Sequence, residues 1–246
     1  MGIERLVALE IGCKMSASKD FGVRMGVAGR HSEMPDVGKK SLLIRVVKIG
    51  VAALSSIRLL PHIALLLLSP RREILRSDLD RYAEFFERGQ PNGVLQRIIL
   101  FVWTMTYLPE YRNVFYFRHK NLGHLLALLC PPMKSLALLT KKSCGPGMLV
   151  HHGFGTTISA EEIGANFSIK QLATVGYVNN SIDCPKIGNN VTIGVGARVL
   201  GRVVIGDDVV IAPNSLVISD VPAGATVMGV PSKIVSQRST AGKELA

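Results

Sequence analysis

The chain has 246 residues, 48% of them hydrophobic, and a formal net charge of +11; it is too apolar for general disorder and long enough for one large domain or two modest ones. Its four cysteines, Cys13, Cys130, Cys144 and Cys184, form no C-x-x-C pair, which argues against a zinc knuckle or a dense disulfide framework and fits a reducing, cytoplasmic setting. Residues 1–145 carry 22 Lys+Arg against 11 Asp+Glu, whereas residues 146–246 carry 7 against 7. No recognisable basic module with interleaved aromatics accompanies the excess, so nucleic acid is not an expected partner. A solvated basic helical surface, or peripheral contact of that half with an anionic membrane, is the expectation instead.

Residues 1–40 show no sustained periodicity and read as a disordered tail, with Glu4 and Glu10 interrupting what would have to be a signal peptide. Residues 41–143 read as a basic helical domain. Within it, the apolar run 49–68 has the length of a membrane span, but Arg58, Pro61 and His62 sit near its middle. A central Arg costs about 2.5–3.5 kcal/mol on insertion scales and Pro breaks a helix. The expectation is therefore an apolar helix pair that packs on the rest of the protein or rests on a membrane face. The stretch "SPRREILRSDLDRYAEFFERG" follows, with a Ser-Pro start, helical spacing of Ile74, Leu75, Leu79, Tyr82 and Phe85, and a Gly stop at Gly89. It predicts an amphipathic helix. "VLQRIILFVWTMTYLPEYRNVFYFRHKNLGHLLALLC" continues in helical style, broken at Pro109 and ended by Pro131 and Pro132.

From residue 144 the pattern changes. Aliphatic residues fall at Ile163, Ile169 and Val175, and again at Ile187, Ile193, Val199, Ile205, Ile211 and Val217, a spacing of six on either side of one double-length gap. Gly or Ala follows many of them, as at Gly164, Gly188, Gly194, Gly206 and Ala212. Short parallel strands that each point one aliphatic side chain into a prism, with a small residue at the corner, produce this period. The predicted fold class is α+β, a helical N-terminal part followed by a parallel β-helix over residues 144–235, with residues 236–246 a flexible tail. Ser181 interrupts the aliphatic phase, so residues 177–186 are expected to bulge out as a loop.

The motifs "GMLVHHGFGTTI", "IGNNVTIGVGARVLGRVVIGDDVVIAPNSLV" and "VPAGATVMGVPSKIV" resemble the hexapeptide-repeat acyltransferases, whose β-helix is left-handed, and among them the serine acetyltransferase-like group. The resemblance covers residues 144–235 closely and the helical part through "LPEYRNVFYFR" more loosely. It implies an acetyl-CoA-dependent O-acetyltransferase with His152 as general base, because a neutral alcohol is a poor nucleophile toward a thioester. It implies a homotrimer, paired into a hexamer by the helical half, with acetyl-CoA in the groove between neighbouring β-helices. Gly194, Ala197, Arg198, Ala212 and Lys233 form the implied cofactor-facing set, Arg198 or Lys233 lying near a phosphate.

Departures from the family bear on the acceptor. Serine acetyltransferases carry Asp before the catalytic His and Arg-His before "PKI"; here those places hold His151, Asp183 and Cys184, the candidate acceptor-binding residues. No Asp or Glu occurs between Glu110 and Glu161, which leaves Glu161, Glu162 or Asp183, of the same or another subunit, as the expected orienter of His152. Besides L-serine, a sugar hydroxyl of a surface-polysaccharide precursor is a candidate acceptor; a non-catalytic trimeric scaffold that binds a membrane or partner is the reading from another class. The ending "GKELA" lacks the isoleucine with which serine acetyltransferases dock into cysteine synthase, so that complex is not expected. No metal is expected either: neighbouring strand side chains diverge, so only one of His151 and His152 should face the acceptor, and no third histidine lies in the repeat region.

Overall fold

The structure, a computed structural model, describes residue 50, residues 57–178 and residues 183–237. Residue 50 belongs to a separate unit, residues 1–54, and everything below concerns the unit 55–246. The expected tail 1–40, most of 41–56, Ser181 and the end of the 236–246 tail lie outside the described residues.

Pro61 opens a helix where the sequence suggested a break: it stands in the first turn of α1 (Leu60–Leu68), where a missing N–H leaves no bond unmade. Among the described residues no helix is long and apolar enough to cross a membrane. The amphipathic stretch forms α2 (Arg72–Phe85) and buries Leu75, Leu79 and Tyr82, with Ile74 half-buried and Phe85 at the edge. Helix α3 (Val94–Tyr107) ends just before Pro109, which opens α4 (Pro109–His119); the short α5 (Asn121–Leu126) follows. Phe101, Tyr111 and Phe115 join Leu75, Leu79 and Tyr82 in one helical core.

The β-helix starts before residue 144. Strand β1 (Leu136–Thr140) pairs in parallel with β3 (Thr156–Ala160), so the first coil takes in the end of the expected helical domain. Among the described residues fourteen strands, β1, β2 (Leu149–His151), β3, β4 (Glu162–Ile163), β5 (Ser168–Lys170), β6 (Thr174–Gly176), β7 (Lys186–Ile187), β8 (Thr192–Ile193), β9 (Arg198–Leu200), β10 (Val204–Ile205), β11 (Val210–Ile211), β12 (Leu216–Val217), β13 (Ala225–Met228) and β14 (Lys233–Gln237), form three sheets, ordered β1-β3-β6-β9-β12, β10-β7-β4 and β14-β13-β11-β8-β5-β2. Consecutive coils stack in register: Ile163 on Ile187, Ile169 on Ile193, Val175 on Val199, Ile193 on Ile211 and Val199 on Val217. All nine of the predicted aliphatics are 3% exposed or less. Each contributes roughly 1.5–3 kcal/mol of burial, which makes this ladder the main source of the solenoid's stability. At one corner Asn166, Asn190 and Asp208 take left-handed φ of 57°, 57° and 58°. There Asn166 donates to Asn190 at 3.0 Å and Asn190 to Asp208 at 2.9 Å, a polar seam beside the apolar one.

The helices cover the open first coil. Strand β2 (Leu149–His151) is the edge of its sheet, and an exposed edge would leave amides and carbonyls unpaired. Tyr82 of α2 meets that need at Val150: its hydroxyl donates to the Val150 carbonyl and accepts from the Val150 amide, each at 3.1 Å. Beside it, Asp78 accepts the Met148 amide at 2.8 Å and pairs with Arg118 of α4 at 2.8 and 3.0 Å. Arg118 reaches on to the carbonyls of Cys144 and Gly145, each at 2.7 Å. Burial pushes the Asp78 carboxyl up, opposed by the guanidinium and by the amides of Met148 and Gly147.

Candidate active site at the histidine turn

The strand ladder is out of phase at one corner. From the six-stranded to the five-stranded sheet the later coils take six residues, from Ile169 to Val175, Ile193 to Val199 and Ile211 to Val217, whereas the first coil runs from Val150 to Ile158. The surplus bulges out at His151–Gly155. Strand β2 ends at His151, and His152 follows in the left-handed region at φ 62°, a conformation uncommon outside glycine and enriched at functional sites. Gly153, at φ 24°, allows the turn to press on its support: a Cβ there would meet Leu136 Cδ2 at 2.9 Å, Val150 Cγ1 at 3.1 Å and Glu110 Cβ at 3.2 Å. Phe154 N–H closes the turn onto the His152 carbonyl.

The two imidazoles do not diverge. Their rings stack with centroids 4.0 Å apart and planes at 30°. Divergence holds for neighbours within one strand, but His152 lies past the end of β2 and its positive φ swings its ring back over His151. On its other side the His151 ring meets Phe85 at 4.3 Å. Burial, with smaller contributions from His152 and Lys170, lowers the pKa of His151 to about 4, so it is neutral at physiological pH. Its Nδ1 is buried without a hydrogen-bond partner, as is Oε1 of Gln171 at the same corner of the next coil.

Among the described residues of this chain the carboxyl at this turn is Glu110; Glu161, Glu162 and Asp183 of the same chain stand at other corners. Glu110 stands in the first turn of α4 and is buried. Desolvation pushes its carboxyl up, opposed first by a hydrogen bond from its own backbone N–H, then by charge attraction to His152 and a hydrogen bond from the His152 backbone N–H. Glu161 sits at another corner, between β3 and β4 (Glu162–Ile163), and pairs there with Lys142 at 2.6 Å. The Lys142 hydrogen bond holds it below the usual carboxylate range. Glu110 was missed because it comes from a docked helix, and only the "LPE" opening of that helix marked its position. Gln171 had no sequence signal.

The other candidates separate into two groups. Asp183 and Cys184 precede β7 (Lys186–Ile187) in the three-stranded sheet, a different side of the prism from the histidines; Asp183 is exposed, while Cys184 is buried and does not present its thiol at the surface. Gly194, Ala197 and Arg198, and then Ala212, occupy on later coils the same corner as the histidines, between β8 (Thr192–Ile193) and β9 (Arg198–Leu200) and between β11 (Val210–Ile211) and β12 (Leu216–Val217). Gly194, Ala197 and Ala212 are buried by coil stacking, so what they offer a ligand is backbone shape; Arg198 is exposed. Lys233, also exposed, opens β14 (Lys233–Gln237), which turns back antiparallel along β13 (Ala225–Met228) at the far end. Coils stack about 4.8 Å apart, so this edge runs about 19 Å from the histidine turn toward Lys233. Among the described residues no group of three or more His, Cys, Asp or Glu could hold a metal ion.

The family described as bacterial transferase hexapeptide (six repeats) matches residues 184–219. The chain carries the hexapeptide repeat. Its fold is similar to that of serine acetyltransferase from Neisseria gonorrhoeae in complex with serine, at 26% identity and a TM-score of 0.53, over 71% of this chain and 74% of that one. Serine acetyltransferase from Brucella abortus is similar at 24% identity and a TM-score of 0.54, over 70% and 72% of the two chains. No curated protein matches the chain by sequence. The fold class is the α+β one expected, helices followed by a left-handed parallel β-helix. The similarities support an acyltransferase of the hexapeptide class.

Proposed function

We propose that the chain is an acetyl-CoA-dependent O-acetyltransferase in which His152 is the general base on the acceptor hydroxyl. The observation that carries this reading is the histidine turn itself: an inserted bulge holds His152 at left-handed φ, against Glu110 and at one end of a straight solenoid edge. Similarity to a serine acetyltransferase supports it. Acetyl-CoA supplies an activated acetyl thioester; Arg198 and Lys233 are the exposed cations on the edge that would meet its phosphates, with Gly194, Ala197 and Ala212 keeping the corner low. His152 takes the hydroxyl proton as attack occurs and returns it to the departing sulfur, and Glu110 holds the base in place and stabilises its protonated form. The working assembly is a homotrimer with the edge of one β-helix facing the next; outward-facing Val204, Val210 and Ile218 supply apolar surface for it.

Two acceptors fit, L-serine or a related small hydroxyl compound, and a sugar hydroxyl. One observation favours the sugar. His151, neutral because its pKa is held at about 4, stands where a carboxylate would pair with the ammonium of an amino acid. A neutral imidazole offers that ammonium no charge, whereas a neutral polyol requires none. The test is thiol release from acetyl-CoA by the purified protein across L-serine and a panel of sugars. Acceptor-dependent release is expected, faster with a sugar. Absence of release with every acceptor would leave the non-catalytic scaffold reading in place.

Glu110 provides an independent check. Glu110→Gln is expected to lower kcat at least about tenfold, by analogy with loss of a histidine-orienting carboxylate. Glu110→Asp, which keeps the carboxylate, should restore part of that kcat. Full activity of Glu110→Gln would make Glu110 a packing residue only.

A further inference from the structure

A second cleft lies at the other end of α4. Glu110 is in the first turn of that helix, while Lys120 follows its last residue, about 15 Å away at 1.5 Å per residue. The cleft encloses about 640 Å³ between the start of α2, the end of α4, Lys120 and Ala127 flanking α5, and the segment 138–144. Five cations line it, Arg71, Arg118, Lys120, Lys141 and Lys142, and no carboxylate does. Arg118 is paired with Asp78 and Lys142 with Glu161. Arg71, Lys120 and Lys141 have no carboxylate within ion-pair distance among the described residues. Lys120 is held at φ 48° and ψ −122° between two helices, a backbone state unfavourable for any residue with a Cβ.

The surroundings of the cleft are apolar rather than polar. Leu139, on its wall, is 62% exposed, and beyond Lys120 the chain presents Leu122, Leu125, Leu128 and Leu129 at 45%, 62%, 78% and 45%. The two most exposed of them, Leu125 and Leu128, stand three residues apart across one turn closed by the Leu128 N–H on the Leu125 carbonyl. A soluble phosphate would use the cations and leave this leucine surface without a purpose. An anionic lipid uses both, its phosphate among the lysines and its acyl layer against the leucines.

We propose that this cleft binds the phosphate of an anionic lipid at a membrane surface, with Lys120 and Lys141 meeting the headgroup and Leu125 and Leu128 entering the acyl boundary. The proposal is independent of the acyltransferase reading, because it rests on residues at the opposite end of α4 and its test uses no catalysis.

Flotation of the full chain with phosphatidylcholine vesicles, with and without phosphatidylglycerol, tests it. Binding is expected only to the phosphatidylglycerol vesicles. The double variant Lys120→Gln, Lys141→Gln should weaken partitioning roughly 25-fold, since each near-surface cation is worth about a fivefold change. Leu125→Ser with Leu128→Ser should weaken it at least about tenfold, with the melting temperature of both double variants unchanged because these side chains are exposed. Equal binding to neutral vesicles, or binding indifferent to the two lysines, would overturn the proposal. Stabilisation by inorganic phosphate without vesicle binding would make the ligand a soluble phosphate and overturn the lipid assignment. Loss of an oligomer in the leucine variant, seen by light scattering without vesicle binding, would assign the surface to a second copy instead.

Discussion

Replacing His152 by Ala is expected to lower kcat for acetyl transfer by about 10²-fold or more, the range for loss of a general base, with KM for acetyl-CoA little changed. The split follows from where the groups stand. His152 is in the bulge of the first coil, whereas the exposed cations assigned to the phosphates, Arg198 and Lys233, lie on later coils or beyond them. Its side chain carries no buried hydrophobic load, so a correctly assembled variant is expected. His151→Ala should act differently. That imidazole is wedged between Phe85 and His152 and is neutral, so its loss should raise KM for the acceptor and loosen the His152 ring, with a smaller fall in kcat. Near-full activity of His152→Ala in a purified, correctly assembled sample would remove it as the base. A larger kcat loss in His151→Ala than in His152→Ala would exchange the two roles.

How much of this was legible in the sequence depends on whether a feature has a period. The nine aliphatics from Ile163 to Val217 are evenly spaced because each strand contributes one inward residue, and their burial could be read directly. The first coil was not legible, because its inward positions, Leu138, Cys144, Val150 and Ile158, are interrupted by the bulge that displaces the last of them. The same bulge makes the turn the candidate site. His152 was singled out through the resemblance of its motif, but its stacking on His151 was not foreseen, since that depends on one backbone torsion that ends the strand. Glu110 and Gln171 reach the turn through helix docking and coil stacking, contacts that leave no spacing in the chain. Arg58 and Pro61 argued against one long helix across the apolar run, and among its described residues no helix is long enough to cross a membrane; that Pro61 would open a helix required knowing on which side of it the helix lies.

The largest expected loss of stability comes from a pair that no sequence pattern disclosed. Arg118→Met should destabilise the fold by roughly 3–5 kcal/mol, the range for removing one partner of a buried ion pair, measured by denaturant unfolding. Asp78 and Arg118 have side chains 2% and 4% exposed, so no water compensates the orphaned carboxylate. The carbonyls of Cys144 and Gly145 lose their donors in the same step. Because these groups clamp α2 and α4 to the coil that carries the histidines, the variant should also lose activity before it loses its far coils. A pH dependence distinguishes this account from simple loss of packing. Burial already pushes the Asp78 carboxyl up against the pull of Arg118; without the guanidinium, burial acts with less opposition and the native state holds a proton that the unfolded chain releases. The native state then binds more protons than the unfolded one above the ordinary carboxylate range, so stability falls as pH rises and the deficit of Arg118→Met should narrow in mild acid. A deficit constant from neutral pH down to pH 5 would mean that Asp78 is not the group left unpaired. In a double-mutant cycle, Asp78→Leu with Arg118→Met should cost less than the sum of the singles, although more than nothing, because the Met148 amide and the Cys144 carbonyl lose the partners they have here.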